Sequence, residues 1–594
     1  MPYAPTPASG QGKPALSEAM GLARAGFTLA LPYFRCGNKW SARALLSAVI
    51  ATELCQVLLA LLVNRWNASF YNALEARQWD AFIVQIAVYN GLLVAHVIRS
   101  VAAVYVRKLL LIRWRQWLTA RFMNIWLERG THYRLELEGT TADNPDQRLA
   151  DDIRIFVELT IHMAGALTAS VFSMASFSIV LWELSAHAPI HLGGVSIAVP
   201  GFLVGFAFFY SSLGTYIVHR IGRPLIERNI NQQKSEANLR FQLARQRENA
   251  ENIALLEGET AELERLAVRL QDLTTSWRRL LSRECWLSFA TSLYQQLSYI
   301  VPYALAAPLY FSGSLRLGGM MQTVSAFNRI KTDFSIFIAL YSKIAEWAAA
   351  TGRLSEFKRS AENAKNLSAP YIRRVHASED LLSVRNLKVR RPTGQIIVTA
   401  PRFHAAPGDR LFIDGPSGSG KTSLLRALSG VWPYVNGQIV RRENIRLLFL
   451  AQRPYAPSGT LHDALAYPYD PAGFTSGAVD AALDAAGLRR FAGRCDSYTR
   501  WREELSSGER QRLAFARAFL HQPQILLLDE ASSALEESAE RELYGRLFAC
   551  DPRSAIISTG HRSSVIRLHS RKLALIPEDG CWRLEESTEA LTSR

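Results

Sequence analysis

The stretch RLFIDGPSGSGKTSLLRAL, residues 410–428, reads as an apolar strand, a glycine-rich turn and the start of a helix, the order that a phosphate-binding loop requires. Glycines at 415, 418 and 420 leave backbone N–H groups free to curl round phosphate oxygens, and the start of the next helix favours negative charge. Lys421 is placed to reach the β- and γ-phosphates and the Thr422 hydroxyl to bind magnesium, with Ser417, Ser419 and Ser423 completing the nucleotide-binding turn. A surface glycine turn with an incidental lysine does not account for the whole motif in this strand-to-helix setting. The loop predicts bound ATP or GTP.

Working outward, QILLLDEASSALE (524–536) is a run of apolar residues suited to a buried strand and ends in two adjacent acids. Asp529 is placed to hold magnesium through water. Glu530 is placed to take a proton from the attacking water, a role that contributes about 10² to 10⁴-fold. In LLFLAQRPYAPSGTL (447–461) a strand ends at Gln452, and in AIISTGHRSS (555–564) one ends at His561. Both polar side chains are predicted at the carboxyl edge of the sheet, where nucleotides sit in such folds. EELSSGERQRLAFARA (503–518) puts two serines and a glycine ahead of a basic amphipathic helix. Ser506 and Gly508 there offer a hydroxyl and a backbone N–H to an anion.

Upstream of about residue 380 the texture is different. The chain has 594 residues, 49% of them hydrophobic and 20% charged, which predicts more than one domain and a greasier chain than most soluble enzymes. ALLSAVIATELCQVLLALLV (44–63) carries a single charge, Glu53, and is long enough to cross a bilayer. Its aliphatic residues, at roughly −0.3 to −0.6 kcal/mol each, outweigh roughly +3 kcal/mol for one central carboxyl. Similar stretches lie near 81–106, 159–183, 195–218 and 285–312, with a sixth at 323–342 interrupted by Arg329, Lys331 and Asp333.

Net charge is +16, from 68 basic and 52 acidic side chains, and its placement decides its meaning. Residues 107–158 carry nine Lys or Arg and residues 219–282 carry eleven, whereas SAHAPIHLGG (185–194) carries none. Basic loops belong in the cytoplasm, which puts both termini and the nucleotide-binding region there and removes the need for a nucleic-acid partner. The first forty residues lack a secretory signal, and the six scattered cysteines suggest neither disulfides nor a zinc site. Glu53, His96, Arg99 and Glu183 lie within or at the edge of spans; such charges mark either a substrate or proton pathway or packing pairs and snorkelling ends.

The elements GPSGSGKT, Gln452, LSSGERQR, Asp529–Glu530, SALE and His561 occur in the order of an ATP-binding cassette, which the C-terminal third closely resembles. LSSGERQR is similar to the family's signature motif, LSGGQ, whose helix start contacts ATP held by the other cassette. With one cassette per chain, the resemblance implies a partner cassette from a second copy or a paralogue, the expectation being a homodimer with two ATP molecules between its subunits. It also implies ATP and magnesium as cofactors, with Thr422, Gln452 and Asp529 serving the metal and Glu530, His561 and Gln452 the chemistry. Ser507, Glu509 and Glu536 depart from the usual glycine, glutamine and aspartate. NLKVRRPTGQIIV (386–398) lacks the aromatic that commonly stacks on adenine, leaving the stems of Val389 or Arg391 for that task and base selectivity relaxed.

In the membrane half, NRWNASFYNALEARQWDAF (64–82), LLIRWRQWLTARF (110–122), NPDQRLADDIRIF (144–156), RENAENIALLEGE (247–259) and YFSGSLRLGGMMQ (310–322) resemble exporter-fold half-transporters. These include the peroxisomal fatty-acyl carriers (subfamily D), and the likeness is greater to SbmA/BacA-like peptide-uptake proteins and their ATPase-bearing relatives. The implied architecture is an exporter-type (type IV) fold: a segment at 1–40, a six-helix α-helical membrane domain at 41–355, a linker at 356–380 and an α/β P-loop cassette at 381–594. The implied function is ATPase-coupled transport, in a lipid bilayer identified as a bacterial inner membrane, of peptides or other large hydrophilic molecules such as bleomycin-like glycopeptides or vitamin B12, sometimes inward. Lipid or fatty-acyl export, and a nucleotide-gated channel or sensor, stand as alternatives. Motion between cassette and helices is expected to pass through Asn144, Asp146 and Arg148 and through Glu257 and Glu259.

Overall fold

The computed structural model describes residues 16–37, 39–137, 145–186, 190–192, 195–197, 201–366, 372–376, 379–499 and 501–587. Contacts divide the chain into two compact units, one of Met1–Asn124 with Asp143–Arg359 and the other of Ile125–Ala142 with Ser360–Arg594.

The first unit is helical. A short helix α1 (Leu16–Ala30) precedes six long ones: α2 (Lys39–Glu75), α3 (Trp79–Leu127), α4 (Ile153–Ala186), α5 (Phe202–Glu248), α6 (Glu259–Phe311) and α7 (Leu317–Asn366). Four segments among the described residues are long and apolar enough to cross a membrane: Lys39–Glu75, Trp79–Leu137, Pro145–Ser185 and Phe202–Gly222. The other two expected spans, at 285–312 and 323–342, lie on α6 and α7 and are more polar. Two of the three charges that interrupt the sixth, Arg329 and Asp333, meet partners inside the bundle. Arg329 Nε donates to Ser173 Oγ of α4 at 2.9 Å and lies 3.4 Å from Asp333, so the pair links two helices.

Two of the membrane-half motifs, far apart in sequence, meet in this unit. Asn72 and Glu75 at the end of α2 accept the backbone N–H groups of Gly318 and Leu317 at 3.0 and 3.1 Å, and Asn64 donates to Gln322 O at 3.1 Å. The first turn of α7 thus finds acceptors for N–H groups that no helix can satisfy internally. A Cβ on Gly318 would stand 2.1 Å from Ala68 O, so this crossing is as close as two backbones permit. Close approach recurs between α5 and α6, where a Cβ on Gly214 would meet the Tyr294 ring at 2.1 Å.

The second unit is built on a ten-stranded sheet. Its strands are β1 (Ile372–Val375), β2 (Leu382–Arg390), β3 (Ile396–Ala405), β4 (Arg410–Asp414), β5 (Val435–Arg442), β6 (Leu447–Leu450), β7 (Ile525–Asp529), β8 (Ala555–Thr559), β9 (Arg571–Glu578) and β10 (Cys581–Glu586). The order is β1-β5-β2-β3-β10-β9-β4-β8-β7-β6. Strands β9, β4, β8, β7 and β6 run parallel to one another, whereas β5, β2 and β3 are antiparallel. Strand β1, within the stretch read as a linker, pairs with β5. All five residues of β7 and of β8 are buried, and both strands are apolar up to the polar residues Asp529, Ser558 and Thr559 at their carboxyl ends, as central strands of a parallel sheet require.

Side chains alternate between two cores: Phe412 enters one, while Leu411 and Ile413 enter the other. The second core also takes the buried face of α8 (Lys421–Ser429), and the first that of α9 (Leu461–Ala466), α10 (Ser476–Ala485), α11 (Ser507–His521) and α12 (Glu537–Cys550). Every loop expected to carry chemistry therefore leaves a strand or enters a helix at one edge of the parallel strands.

Candidate nucleotide site

Strand β4 delivers the chain to Gly415, and α8 begins at Lys421. Between them Gly418 and Gly420 have φ of +81° and +94°, a left-handed conformation that side chains disfavour. Gly420 is tied twice over, because a Cβ would stand 2.7 Å from Ile397 and 2.8 Å from Val398 of β3. Lys421 is buried, and its Nζ donates to Gly415 O at 2.5 Å and Pro416 O at 3.4 Å. Ser419 Oγ is buried with no hydrogen-bond partner, whereas Ser417 is exposed and Ser423 half-buried. A lysine folded on the carbonyls of its own loop beside an orphaned hydroxyl fits a phosphate group, which would take up both.

Thr422 Oγ1 donates to Asp529 Oδ1 at 2.9 Å, so two of the three predicted magnesium residues are already together, while the third, Gln452, hydrogen-bonds Glu530. Hard oxygen donors on a helix start and a strand end suit that ion. Burial pushes the Asp529 carboxyl above its ordinary range, against the pull of hydrogen bonds from Thr422 and Thr559. Thr559 Oγ1, the second donor, lies 3.2 Å from the same oxygen; it was hidden from sequence reading as an ordinary strand residue.

Glu530 is the hub. Gln452 Nε2 lies 2.9 Å from its Oε2 and His561 Nε2 lies 3.0 Å from its Oε1, so three predicted catalytic side chains from three loops form one cluster. Its φ of +48° is uncommon for a side-chain-bearing residue. The strained turn takes the chain out of β7 while Glu530 N–H reaches Thr559 O at 3.3 Å. With each oxygen met by a different side chain, the carboxylate is held in one orientation.

The signature helix α11 starts with a reciprocal cap. Ser506 Oγ accepts from Glu509 N at 3.3 Å, and Glu509 Oε2 accepts from Ser506 N at 3.1 Å. Glu509 is thus a working N3 residue. Burial opposes its charge, but hydrogen bonds from Ser506 and the charges of Arg490 and Arg512 hold the carboxyl below the usual range. Ser506 and Ser507 are exposed, and a Cβ on Gly508 would meet nothing nearer than 3.5 Å.

Three side chains that the sequence did not single out complete the site. Gln511 donates to Gln452 O and to Ser533 Oγ, each at 3.2 Å, and accepts Ala534 N–H at 2.9 Å. Arg562 donates to Leu535 O at 2.6 Å and Ser533 O at 3.3 Å. Arg517, whose guanidinium burial pushes down to about 10, donates to Ala464 O and Tyr455 O, each at 2.7 Å. Gln511 and Arg562 each stand within or beside a recognised motif, the only signal available.

Val389 is wholly buried in the core, which removes it as an adenine contact; Arg391 is exposed. Of the coupling candidates, Asn144 lies outside the described residues, while Asp146, Glu257 and Glu259 are exposed. Arg148 points inward and donates to Asp152 at 3.0 Å, an acid that Arg353 also grips at 2.9 Å. In the bundle Glu53 pairs with Arg107, and Arg99 donates to Gln56 at 2.9 Å; Glu183 and His96 are exposed.

Residues 29–311 match the family model for ABC transporter transmembrane region 2, and residues 398–533 match that for ABC transporter. The inner membrane ABC transporter ATP-binding protein YddA of Escherichia coli is 31% identical over 543 residues, 90% of this chain and 94% of its own. ABC transporter D family member 2, chloroplastic, of Arabidopsis thaliana is 31% identical over 646 residues, 96% of this chain and 89% of its own. The lysosomal cobalamin transporter ABCD4 of Mus musculus is 29% identical over 587 residues, 92% and 93%. With a matching membrane region fused to a matching cassette, the chain belongs to the ABC transporters, as an ATPase-coupled half-transporter related to the D family.

Proposed function

We propose that two copies of this chain form an ATP-driven importer of large hydrophilic molecules, peptides or a cobalamin, across a bacterial inner membrane, with cassette and termini in the cytoplasm. The observation that carries the dimer is the exposed tip of α11, where Ser506 is held in its own cap and Gly508 is left uncrowded. No positive φ and no close neighbour in its own chain calls for glycine at 508, so the room at that helix start serves something the chain itself does not supply. Leu255 and Leu256, 74% and 81% exposed, lie well beyond any span and favour the same reading, since apolar residues that lipid cannot cover need protein cover.

In this reading Lys421, Ser419 and the P-loop N–H groups bind the phosphates. Thr422, Asp529 and Gln452 would hold magnesium, Asp529 through water, and the ion would offset phosphate charge. Glu530 accepts the proton of the water that attacks the γ-phosphorus as the bond to the ADP oxygen breaks. Segments 144–148 and 257–259 carry the resulting motion to the helices. A cobalamin cargo is supported by the name of the mouse relative, and a peptide cargo by the SbmA/BacA resemblance.

A mixed-dimer experiment tests the reading. Lys421→Ala and Gly508→Glu chains, each inactive alone, are co-reconstituted in proteoliposomes containing labelled arginine-rich peptide or labelled cobalamin. Sites shared between subunits leave one intact site in each mixed dimer, so ATPase and transport activity return. Failure of ATPase recovery refutes the shared site, and movement of acyl chains in place of both cargoes refutes the cargo.

A further inference from the structure

The phosphates have a cradle in this chain, whereas the turn between β2 and β3 offers the base no ring. Strand β2 ends at Arg390 and turns through Arg391–Gln395, closed by a 2.8 Å bond from Arg391 N–H to Gln395 O, and this turn contains no aromatic residue. Strand order brings a different aromatic to the place. Strand β10 lies between β3 and β9, and the two ends of the P-loop rest on those flanking strands. A Cβ on Gly415 would stand 3.0 Å from Leu575 Cβ on β9, and one on Gly420 would stand 2.8 Å from Val398 on β3. In the register, Trp582 of β10 is opposite Val398, and Leu584 is opposite Leu575. Residues directly across a pair of strands share a face.

Trp582 therefore projects from the face that carries the P-loop, on the strand between the two that its glycines touch. It packs against the core that contains Val398, Leu575 and Leu584, yet it is only partly buried. A core-anchored indole with uncovered ring surface has an ordered π-face to offer, and every base can stack on such a face.

We propose that Trp582 is the nucleobase platform of this ATPase, so that the C-terminal hairpin β9–β10 supplies the stacking ring in place of the β2–β3 turn. Stacking does not read the edge of a base, so ATP and GTP bind with similar affinity. The inference rests on the P-loop being a nucleotide site, and a phosphate-only probe checks that separately.

The experiment is titration calorimetry on the full-length protein in detergent, with magnesium and, in turn, ATP, GTP and inorganic triphosphate. Trp582→Leu keeps apolar bulk and Trp582→Phe keeps a ring, so their difference isolates stacking. Trp582→Leu is expected to weaken ATP and GTP about tenfold each, and Trp582→Phe to stay within about threefold of the parent, with triphosphate unchanged in both. Equal behaviour of the two variants overturns the proposal. So does a parallel loss of triphosphate affinity, which would make the ring a prop beneath the P-loop. Absence of triphosphate binding in the unsubstituted protein would instead sink the nucleotide site itself.

Discussion

Gln511→Leu probes how the motifs hold together. The side chain is 2% exposed, and Leu fills similar volume, so the perturbation removes hydrogen bonds with little cavity. It strands Gln452 O and Ala534 N–H and takes a donor from Ser533 Oγ. A buried polar group left unpaired costs about 1–3 kcal/mol, and because these contacts are only part-buried, water recovers some of it. A net loss of about 2–4 kcal/mol follows, which lowers the melting temperature of a domain this size by about 5–15 °C. The backbone of Gln452 also loses its tether, and its side chain the 2.9 Å aim on Glu530. The P-loop is untouched, so kcat is expected to fall about tenfold with KM for ATP within about twofold of the parent. Scanning fluorimetry and steady-state ATPase assays on the full-length protein read both effects. Melting within about 1 °C of the parent at unchanged kcat would refute the reasoning; a rise in KM at constant kcat would place Gln511 in binding.

Burial holds the Asp529 carboxyl above its unfolded range, so its contribution to stability is greatest below the unfolded pKa and is lost as pH rises through the higher folded one. Asp529→Asn, which keeps an acceptor for Thr422 and Thr559, should raise the melting temperature of the nucleotide-free protein at neutral pH while abolishing its magnesium response; a lower melting temperature contradicts the sign. Breaking the Glu53–Arg107 pair by Glu53→Leu leaves a guanidinium unmatched, but Arg107 is 41% exposed, so the cost shrinks to about 1–3 kcal/mol. Glu53→Leu with Arg107→Leu should recover most of that in thermal unfolding, and a double variant as unstable as the single one would show that the pair is not coupled.

What the sequence displayed plainly was whatever depends on local order. Glycines before Lys421, acids after an apolar run and single polar residues at strand ends each announce themselves within a dozen positions, and parallel-sheet topology then gathers them at one edge. Thr559 reads as another strand residue until β8 is seen beside β7, where its hydroxyl reaches Asp529. Trp582 is hidden for the same reason, because the register that sets it beside Val398 links residues from opposite ends of the cassette. In the membrane unit, Arg329 and Asp333 interrupt the sixth expected span, and the contact of Arg329 with Ser173 on a different helix accounts for that pair.

The residues that escaped notice share a task, and that task bears on how hydrolysis is sensed. Ser533, Ala534 and Leu535 follow Glu530, and Ser533 N–H bonds to Glu530 O at 3.1 Å. From one side Arg562, the neighbour of His561, holds Ser533 O and Leu535 O. From the other, Gln511 of the signature helix holds Ser533 Oγ and Ala534 N–H while tethering Gln452. Arg562 also reaches Glu540, which hydrogen-bonds Ser532, so the start of α12 joins the set. The acid, the histidine loop, the glutamine loop and the tip of α11 are therefore one hydrogen-bonded block. A change in what Glu530 or His561 touches cannot be confined to that residue, because the bonds that fix each of them also fix the surface that α11 presents. In the proposed dimer, coupling between chemistry and subunit contact needs no distant relay, since the same short segment, 532–535, is held from both sides.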